Sequence, residues 1–251
     1  MRKSMLNRNG EENYNSFGSL MTITKYTNCD NIDVYFPEYN WTFYNSSYKE
    51  FKNGHIKCPF EPRYCGVGYL GEGNYTVMES NNVKTDSFIK WVSMLNRCYS
   101  GKYTAYEDCY VCDEWLNYQN FAEWYNLNYY EIDGETMCLD KDILVKHNKI
   151  YSPETCVFVP SRINTLFIKS NRIRGDLPIG VTCKDGKYIA RCKNGYNKRI
   201  YLGTFNTPEE AFYAYKNFKE LIIRQTADEY IDYIPYNLYI VMCNYEVEIN
   251  D

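Results

Sequence analysis

The chain has 251 residues, a hydrophobic content of 45%, an aromatic content of 18% and a formal net charge of −4 at pH 7. This composition argues for packed cores and excludes a wholly disordered chain, and no apolar run approaches the ~20 residues of a membrane-spanning helix. The N-terminal segment has basic residues but no apolar core, so it is not typical of a signal peptide. We therefore expect a cytoplasmic protein without a membrane partner.

Residues 1–73 predict a small β-rich module followed by a linker. The runs "MTITKY" and "IDVYF" alternate between apolar and polar residues, with "NCDN" as a turn between them, and "WTFYNSSYKEFKNGHI" continues the β pattern. The run "GVGYLGEG" at 66–73 has the spacing G-x-G-x-x-G, which can bind a dinucleotide when a helix N-terminus follows it. Here the loop-like run "NYTVMESNN" follows, so a linker is favoured over a nucleotide site.

Residues 74–170 predict helices first and then the order strand, loop, strand, helix. An apolar stripe over 88–98 predicts a helix with Asp86 or Ser87 as its N-cap, and a second amphipathic stretch covers 115–125. The runs "MCLDKDILV" and "TCVFVP" predict two strands, joined by the turn "KHNKIYSPE" and followed by a helix over "SRINTLFIKS". The aromatic residues of the first two helices are expected to pack in a core.

The remainder of the chain predicts a linker, a sheet with one helix, and a tail. The linker covers 171–178, the sheet and helix cover 179–226, and the tail covers 227–251. The strands are "IGVTC", "YIARCK" and "RIYLGTF", and a helix follows over "TPEEAFYAYKNFKELIIRQ". Thr207 and Glu210 have the spacing of a capping box. The chain as a whole is therefore predicted to be an α+β protein with several modules.

Basic residues concentrate at 162–204 although the chain is acidic. This segment holds ten Lys and Arg residues against two Asp residues, and the local field decides where a polyanion binds. Because successive side chains of a strand point to opposite faces, one face of the sheet is predicted to pack on the helix and the other to be basic. The packed face holds Val181, Cys183, Ala190, Cys192, Ile200 and Leu202. The other, which we name the basic face, holds Thr182, Lys184, Arg191, Lys193, Arg199 and Tyr201.

A β-sheet face with this chemistry fits the major groove of DNA, where Arg and Lys bind guanine edges or phosphates. A solvated charged surface is the alternative. The runs "GKYIARCK" and "KRIYLGTFNTPEEAFYAY" resemble the AP2/ERF DNA-binding domain over 179–225. The resemblance implies a three-stranded antiparallel sheet packed on one helix. The side chains that it implies contact double-stranded DNA are Lys184, Arg191, Lys193, Arg199 and Tyr201.

The segment 86–170 resembles HNH endonucleases, in particular phage-type homing enzymes that carry an AP2 domain. The match rests on "WVSMLNRCY", "CDEWLNYQNF", "LDKD" and "YSPETCVFVPSRIN". The resemblance implies a ββα-metal module that binds one divalent cation through Asp140 and Asn164. Both side chains offer oxygen donors, which suit Mg²⁺ or Mn²⁺.

The residues expected to activate water depart from the HNH pattern. Lys141 occupies the position of the general base, which is His or, in AP2-linked members, often Arg. Thr155 occupies the position of the Asn that orients this base. A cationic Lys is a poor base unless it is strongly desolvated, so Asp142 and His147 are candidate substitutes. The candidate catalytic residues are thus Lys141, Asp142, His147 and Thr155.

The eleven cysteines are expected to be reduced thiols rather than zinc ligands or disulfides. Cys109 and Cys112 form a C-x-x-C pair, which Cys98 and Cys138 could complete as a four-cysteine zinc site. However, the sequence has no second C-x-x-C pair, so the zinc alternative is the weaker one.

Two functions are compatible with these patterns. The first is a phage or prophage endonuclease of the HNH homing type, which nicks or cuts double-stranded DNA with a divalent metal in the cytoplasm of a bacterial host. The second is a catalytically weakened relative that binds DNA without being an enzyme and acts as a regulator or interferes with host defence. The changes at Lys141 and Thr155 leave both open.

Overall fold

A computed structural model describes residues 7–168, 176–196 and 198–249. These residues form a mixed α+β fold, which confirms the predicted class. The chain divides into two compact units, Met1–Leu127 and Asn128–Asp251. Among the described residues, none of the helices has both the length and the apolar character needed to cross a membrane.

The first unit begins with an antiparallel four-stranded sheet in the order β1–β2–β3–β4. The strands are β1 (Glu12–Tyr14), β2 (Leu20–Asn28), β3 (Asn31–Phe36) and β4 (Trp41–Ser46). Alternate residues of β2 and β3 point into one core together with Phe51. The β pattern predicted through residue 56 is wrong after Ser46, because Ser47 accepts a hydrogen bond from the Glu50 amide and caps a short helix, α1 (Tyr48–Lys52).

The rest of the first unit consists of a long loop region followed by three α-helices and a short strand. Residues 66–73 lie in loops with isolated bridges, one of which joins Tyr69 to Asn117. The elements that follow are α2 (Asp86–Tyr99), β5 (Tyr110–Val111), α3 (Asp113–Leu116) and α4 (Tyr118–Asn128). The N-cap of α2 is Thr85 rather than Asp86 or Ser87, since its hydroxyl accepts from the Phe88 amide. The core aromatics Trp91, Trp115, Tyr118 and Phe121 are fully buried, which confirms their predicted packing role.

The second unit contains the two predicted strands and the helix, and a further short strand, Ile150–Tyr151, lies inside the segment 146–154 that was predicted as a turn. Its elements are β6 (Met137–Asp140), β7 (Ile150–Tyr151), β8 (Val157–Pro160) and α5 (Ser161–Phe167). The strands β6 and β8 pair antiparallel, with Asp140 opposite Val157, and α5 follows β8 without a break and packs against both strands. The first strand is shorter than predicted, because the chain bends immediately after Asp140.

The second unit ends with a three-stranded antiparallel sheet and two helices. These elements are β9 (Val181–Lys184), β10 (Lys187–Lys193), β11 (Arg199–Phe205), α6 (Pro208–Glu229) and α7 (Tyr236–Cys243), with β10 as the central strand. Part of the predicted linker, residues 171–175, lies outside the described residues. The tail contributes α7, whose Leu238 and Met242 are fully buried.

Helix α6 contributes to two cores of the second unit. Its 22 residues correspond to roughly 33 Å at 1.5 Å per residue. Near its N-terminus, Ala211 and Tyr215 pack against the three-stranded sheet. Near its C-terminus, Ile223 and Ala227 pack against β8, α5 and α7. The three-stranded sheet therefore packs on the same helix as β6, β8 and α5, which we name the ββα elements.

The predicted capping box at the start of α6 is present. The Thr207 hydroxyl accepts from the Glu210 amide at 3.2 Å, and the Glu210 carboxylate accepts from the Thr207 amide at 3.2 Å. Loss of an N-cap hydroxyl usually lowers the free energy of unfolding by about 1 kcal/mol. We expect this loss for Thr207→Ala in urea denaturation followed by circular dichroism, whereas Thr207→Ser keeps the hydroxyl and most of the stability. Equal stability of Thr207→Ala and the parent protein would show that this cap contributes little.

Candidate functional site

The basic face is exposed along its whole length. All six of its predicted members are exposed, including the large ring of Tyr201, at 60%. Strand pairing sets Arg191 opposite Tyr201 and Lys193 opposite Arg199. Directly opposed residues have Cβ atoms about 5 Å apart. The contiguous basic surface predicted from the alternation is therefore confirmed.

The opposite face of the sheet shares a core with α6 through Val181, Ala190, Cys192 and Leu202. Val181, Ala190 and Cys192 are buried, and Ile200 and Leu202 are half-buried. Cys183, which was predicted on this face, is exposed and lies outside the core cluster. It lies one residue before the end of β9, beside the turn that begins at Asp185. Alternation alone does not bury a residue at a sheet margin.

A β-bulge adds residues to the basic face that the sequence analysis did not include. Ala190 pairs with Gly203 but Arg191 pairs with Tyr201, so β11 has one extra residue between these pairs. Beyond the bulge Thr204 is exposed, and its hydroxyl lies 2.8 Å from the Tyr201 hydroxyl. A lone glycine within a strand is a signal of a bulge, and Gly203, with φ of 141°, provides that signal.

Among the described residues, no carboxylate forms a salt bridge with the cations of the basic face. Strands β9, β10 and β11 contain no acidic residue. Within the part of the chain that the structure describes, Lys184, Arg191, Lys193 and Arg199 form no salt bridge. Uncompensated cations on one surface create a positive potential that attracts a polyanion.

The proposed metal ligand Asp140 stands at the end of β6, where the chain bends. Its Oδ1 accepts hydrogen bonds from the backbone amides of Asp142 and Ile143, both at 2.8 Å. Burial, and secondarily the negative charge of Asp142, raise the pKa of Asp140 to about 6. The two backbone donors and Lys141 offset this only in part. Asp140 is thus a desolvated carboxylate in a locally negative environment.

Lys141 is held as a cation by the loop that follows β6. The residue is 7% exposed, and its ammonium donates to the Asp142 carboxylate at 2.9 Å and to the Asn148 carbonyl at 3.2 Å. The Asn148 amide in turn donates to the carbonyls of Lys141 and Ile150, both at 2.6 Å. A charged ammonium with two acceptors has no lone pair for a proton, so this geometry suits loop organisation better than base catalysis.

The other three candidate catalytic residues lie in the same loop region. The Thr155 hydroxyl donates to the Ile150 carbonyl at 2.9 Å and lies 3.1 Å from the Ser152 hydroxyl. It therefore ties β7 to the turn before β8. His147 is exposed at a turn with a positive φ of 64°. Asp142 is half-exposed and is the carboxylate partner of Lys141.

Cys156 is a neighbour of this site that the sequence analysis did not single out. It is buried immediately before β8. The pKa of its thiol is raised to about 12, mainly by burial and to a smaller extent by the negative charge of Asp140. The thiol is therefore neutral and acts as part of the apolar wall beside the carboxylate.

Asp140 and Asn164 both carry oxygen donors, the kind of ligand that a hard divalent cation takes. Asn164 is half-buried on α5, the helix that packs against β6. Mg²⁺ is commonly held by one or two protein oxygens together with waters and substrate phosphates, and a carboxylate with an amide supplies such oxygens. Within the described ranges, no three His, Cys, Asp or Glu side chains form a group that could hold a metal ion. A metal site at the end of β6 would consequently depend on oxygens from Asp140 and Asn164.

The C-x-x-C cysteines belong to the first unit. Cys109 is buried and Cys112 is half-buried, and Cys109 comes directly before β5.

Comparison with known proteins adds no relative. No protein-family model matches the chain, and no curated protein and no solved structure matches it significantly. The two sites therefore have to be interpreted from their own geometry and from the sequence motifs.

Proposed function

We propose that this protein binds double-stranded DNA through the basic face. The observation that carries the proposal is an exposed antiparallel sheet surface whose four Lys and Arg side chains lack carboxylate partners among the described residues. Its reverse side is fixed on α6, so the cations are presented on a rigid support. The resemblance of 179–225 to AP2/ERF domains agrees with this proposal.

A surface made of neighbouring β-strands can enter the major groove of duplex DNA. The major groove is about 12 Å wide and admits two strands of a β-ribbon. Arg191 lies on the central strand and Arg199 on its neighbour β11, so both can face one groove. An arginine can bind guanine O6 and N7 with two hydrogen bonds, while lysines at the margins contact phosphates.

The proposal is tested by selecting bound duplexes from a random library. The affinity of the most enriched duplex, the selected duplex, is then measured at several salt concentrations. We expect enrichment of a short motif and an affinity that falls steeply with salt, because each neutralised phosphate releases counterions. Failure to enrich any motif, together with salt-independent binding, would exclude the basic face as a DNA reader.

The second candidate function is metal-dependent nicking of DNA at the ββα elements. It is favoured by the desolvated Asp140 at the end of β6 and by Asn164 on the packed helix α5. A bound Mg²⁺ or Mn²⁺ would supply charge stabilisation for phosphodiester hydrolysis. The protein residues would hold the cation, but Lys141 is engaged by Asp142 and Asn148 and supplies no base. Nicking is therefore expected to be slow or absent, which leaves a DNA-binding regulator or host-defence-interfering protein as the alternative.

Incubation with supercoiled plasmid and Mg²⁺ or Mn²⁺ separates these two cases. Conversion to open-circular DNA above the level of a matched chelator control favours the endonuclease. Stable binding without conversion favours the non-enzymatic role.

A further inference from the structure

Arg162, the second residue of α5, reaches across the second unit to the turn between β10 and β11. Its Nε donates to the Gly195 carbonyl at 3.1 Å, and its Nη2 lies 2.5 Å from Glu229 Oε2. The guanidinium also lies over the Tyr196 ring at 4.2 Å and the Tyr230 ring at 5.5 Å. This one side chain thus connects α5, the end of α6 and the turn between β10 and β11, which we name the hairpin tip.

The turn itself is held in a defined conformation. The Asn194 side chain accepts from the amides of Tyr196 at 3.0 Å and Lys198 at 2.9 Å. A Cβ atom on Gly195 would lie 3.2 Å from the Thr226 hydroxyl and 3.3 Å from the Arg162 guanidinium. The backbone of the turn is therefore packed closely against its supports.

Tyr196 is exposed at this tip although its ring is held from one side. It is 70% exposed, so Arg162 covers only part of the ring and the hydroxyl points to no protein acceptor in the described residues. Its neighbours at the end of the hairpin, Lys193, Lys198 and Arg199, are exposed cations. An exposed tyrosine among cations is suited to a ligand that has both apolar sugar surface and negative charge.

We propose that Tyr196, oriented by Arg162, is an additional contact to the sugar–phosphate backbone of DNA, adjacent to the groove that the basic face occupies. The ring would pack on a deoxyribose and the hydroxyl would donate to a phosphate oxygen. Arg162 is a positioning residue here, because its own charge is paired with Glu229. The inference rests on the proposed function of the basic face and extends its contact area to the hairpin tip.

A contact to the backbone carries no sequence information, so its loss should weaken all duplexes equally. We expect Tyr196→Ala to raise the Kd for the selected duplex about three- to tenfold, and that for a scrambled duplex by the same factor. Tyr196→Phe keeps the ring and should lose only part of this affinity. The matched control is Tyr213→Ala, which removes a tyrosine of similar exposure, 59%, from α6.

Arg162→Lys tests the positioning role, since lysine keeps the charge but not the planar group over the ring. We expect its loss of affinity to be no larger than that of Tyr196→Ala, and the double variant to lose no more than Tyr196→Ala alone. Circular dichroism monitors folding, and if Arg162→Lys unfolds, the exposed Tyr196 variants decide by themselves. A parent protein that binds duplex DNA while Tyr196→Ala binds equally well overturns this inference alone. A parent that binds no duplex overturns the proposed function as well.

Discussion

Arg191→Ala and Arg199→Ala should each weaken binding of the selected duplex by about 1–3 kcal/mol, the range for an arginine that binds a base with two hydrogen bonds. Both side chains are exposed on the basic face without a carboxylate partner among the described residues. Their removal leaves no buried charge and no cavity, so the effect should appear in binding and not in folding. Fluorescence anisotropy with a labelled duplex measures the change.

The matched control is Arg224→Ala, which removes an exposed arginine of α6 that donates to the Cys243 carbonyl. We expect near-parental DNA affinity for this variant, because α6 packs behind the sheet. The salt dependence gives a second readout, since the loss of one phosphate contact lowers its slope by about one. Unchanged affinity in both Arg191→Ala and Arg199→Ala would exclude the basic face as the DNA-binding surface.

Asp140→Ala should abolish divalent-metal binding and any residual nicking, while DNA binding through the basic face is retained. General-base catalysis contributes about 10²–10⁴-fold to a rate, so a protein that lacks this group can still have slow metal-dependent activity. Calorimetric titration with Mn²⁺ and a plasmid-nicking time course measure the two losses.

Alanine at this position also removes the acceptor for two backbone amides, so a second variant is needed. Asp140→Asn keeps an oxygen that can accept from Asp142 and Ile143 but lacks the negative charge. Asp133→Ala, which removes an exposed aspartate of the same unit, is the control for general loss of charge. If Asp140→Ala and Asp140→Asn nick DNA as well as the parent protein, the assignment of this carboxylate is wrong. Rapid nicking by the parent would instead contradict the inference from Lys141.

The local features of the second unit were predictable because they depend on residues close in sequence. The capping box needs only Thr207 and Glu210, and the basic face needs only the two-residue period of a strand. The short helix α1 was missed, because its aromatic residues also fit a strand and the deciding signal was one capping serine. Cys183 is exposed although alternation predicts it to be buried, because alternation does not show how far along a strand the packed helix α6 extends.

The sequence indicates which residues are candidates for a site, but not their burial or their hydrogen-bond partners. Asp140 and Asn164 could be named from a motif, whereas the state of Lys141 depends on Asn148, a loop residue whose position no periodicity determines. The contact of Arg162 with Gly195 joins residues that are 33 positions apart. Such contacts follow from the packing of α5, α6 and the hairpin, which no single segment encodes.

The shared helix α6 determines how this protein can be divided. A fragment of residues 179–226, the predicted bounds of the sheet and its helix, would stop inside α6 and leave Ile223 without its partners in β8, α5 and α7. The isolated sheet would then present an apolar helix end to solvent, which favours self-association. The basic face therefore cannot be transferred to another protein with the sheet alone. The smallest fragment that keeps the core of α6 intact also includes the ββα elements and α7.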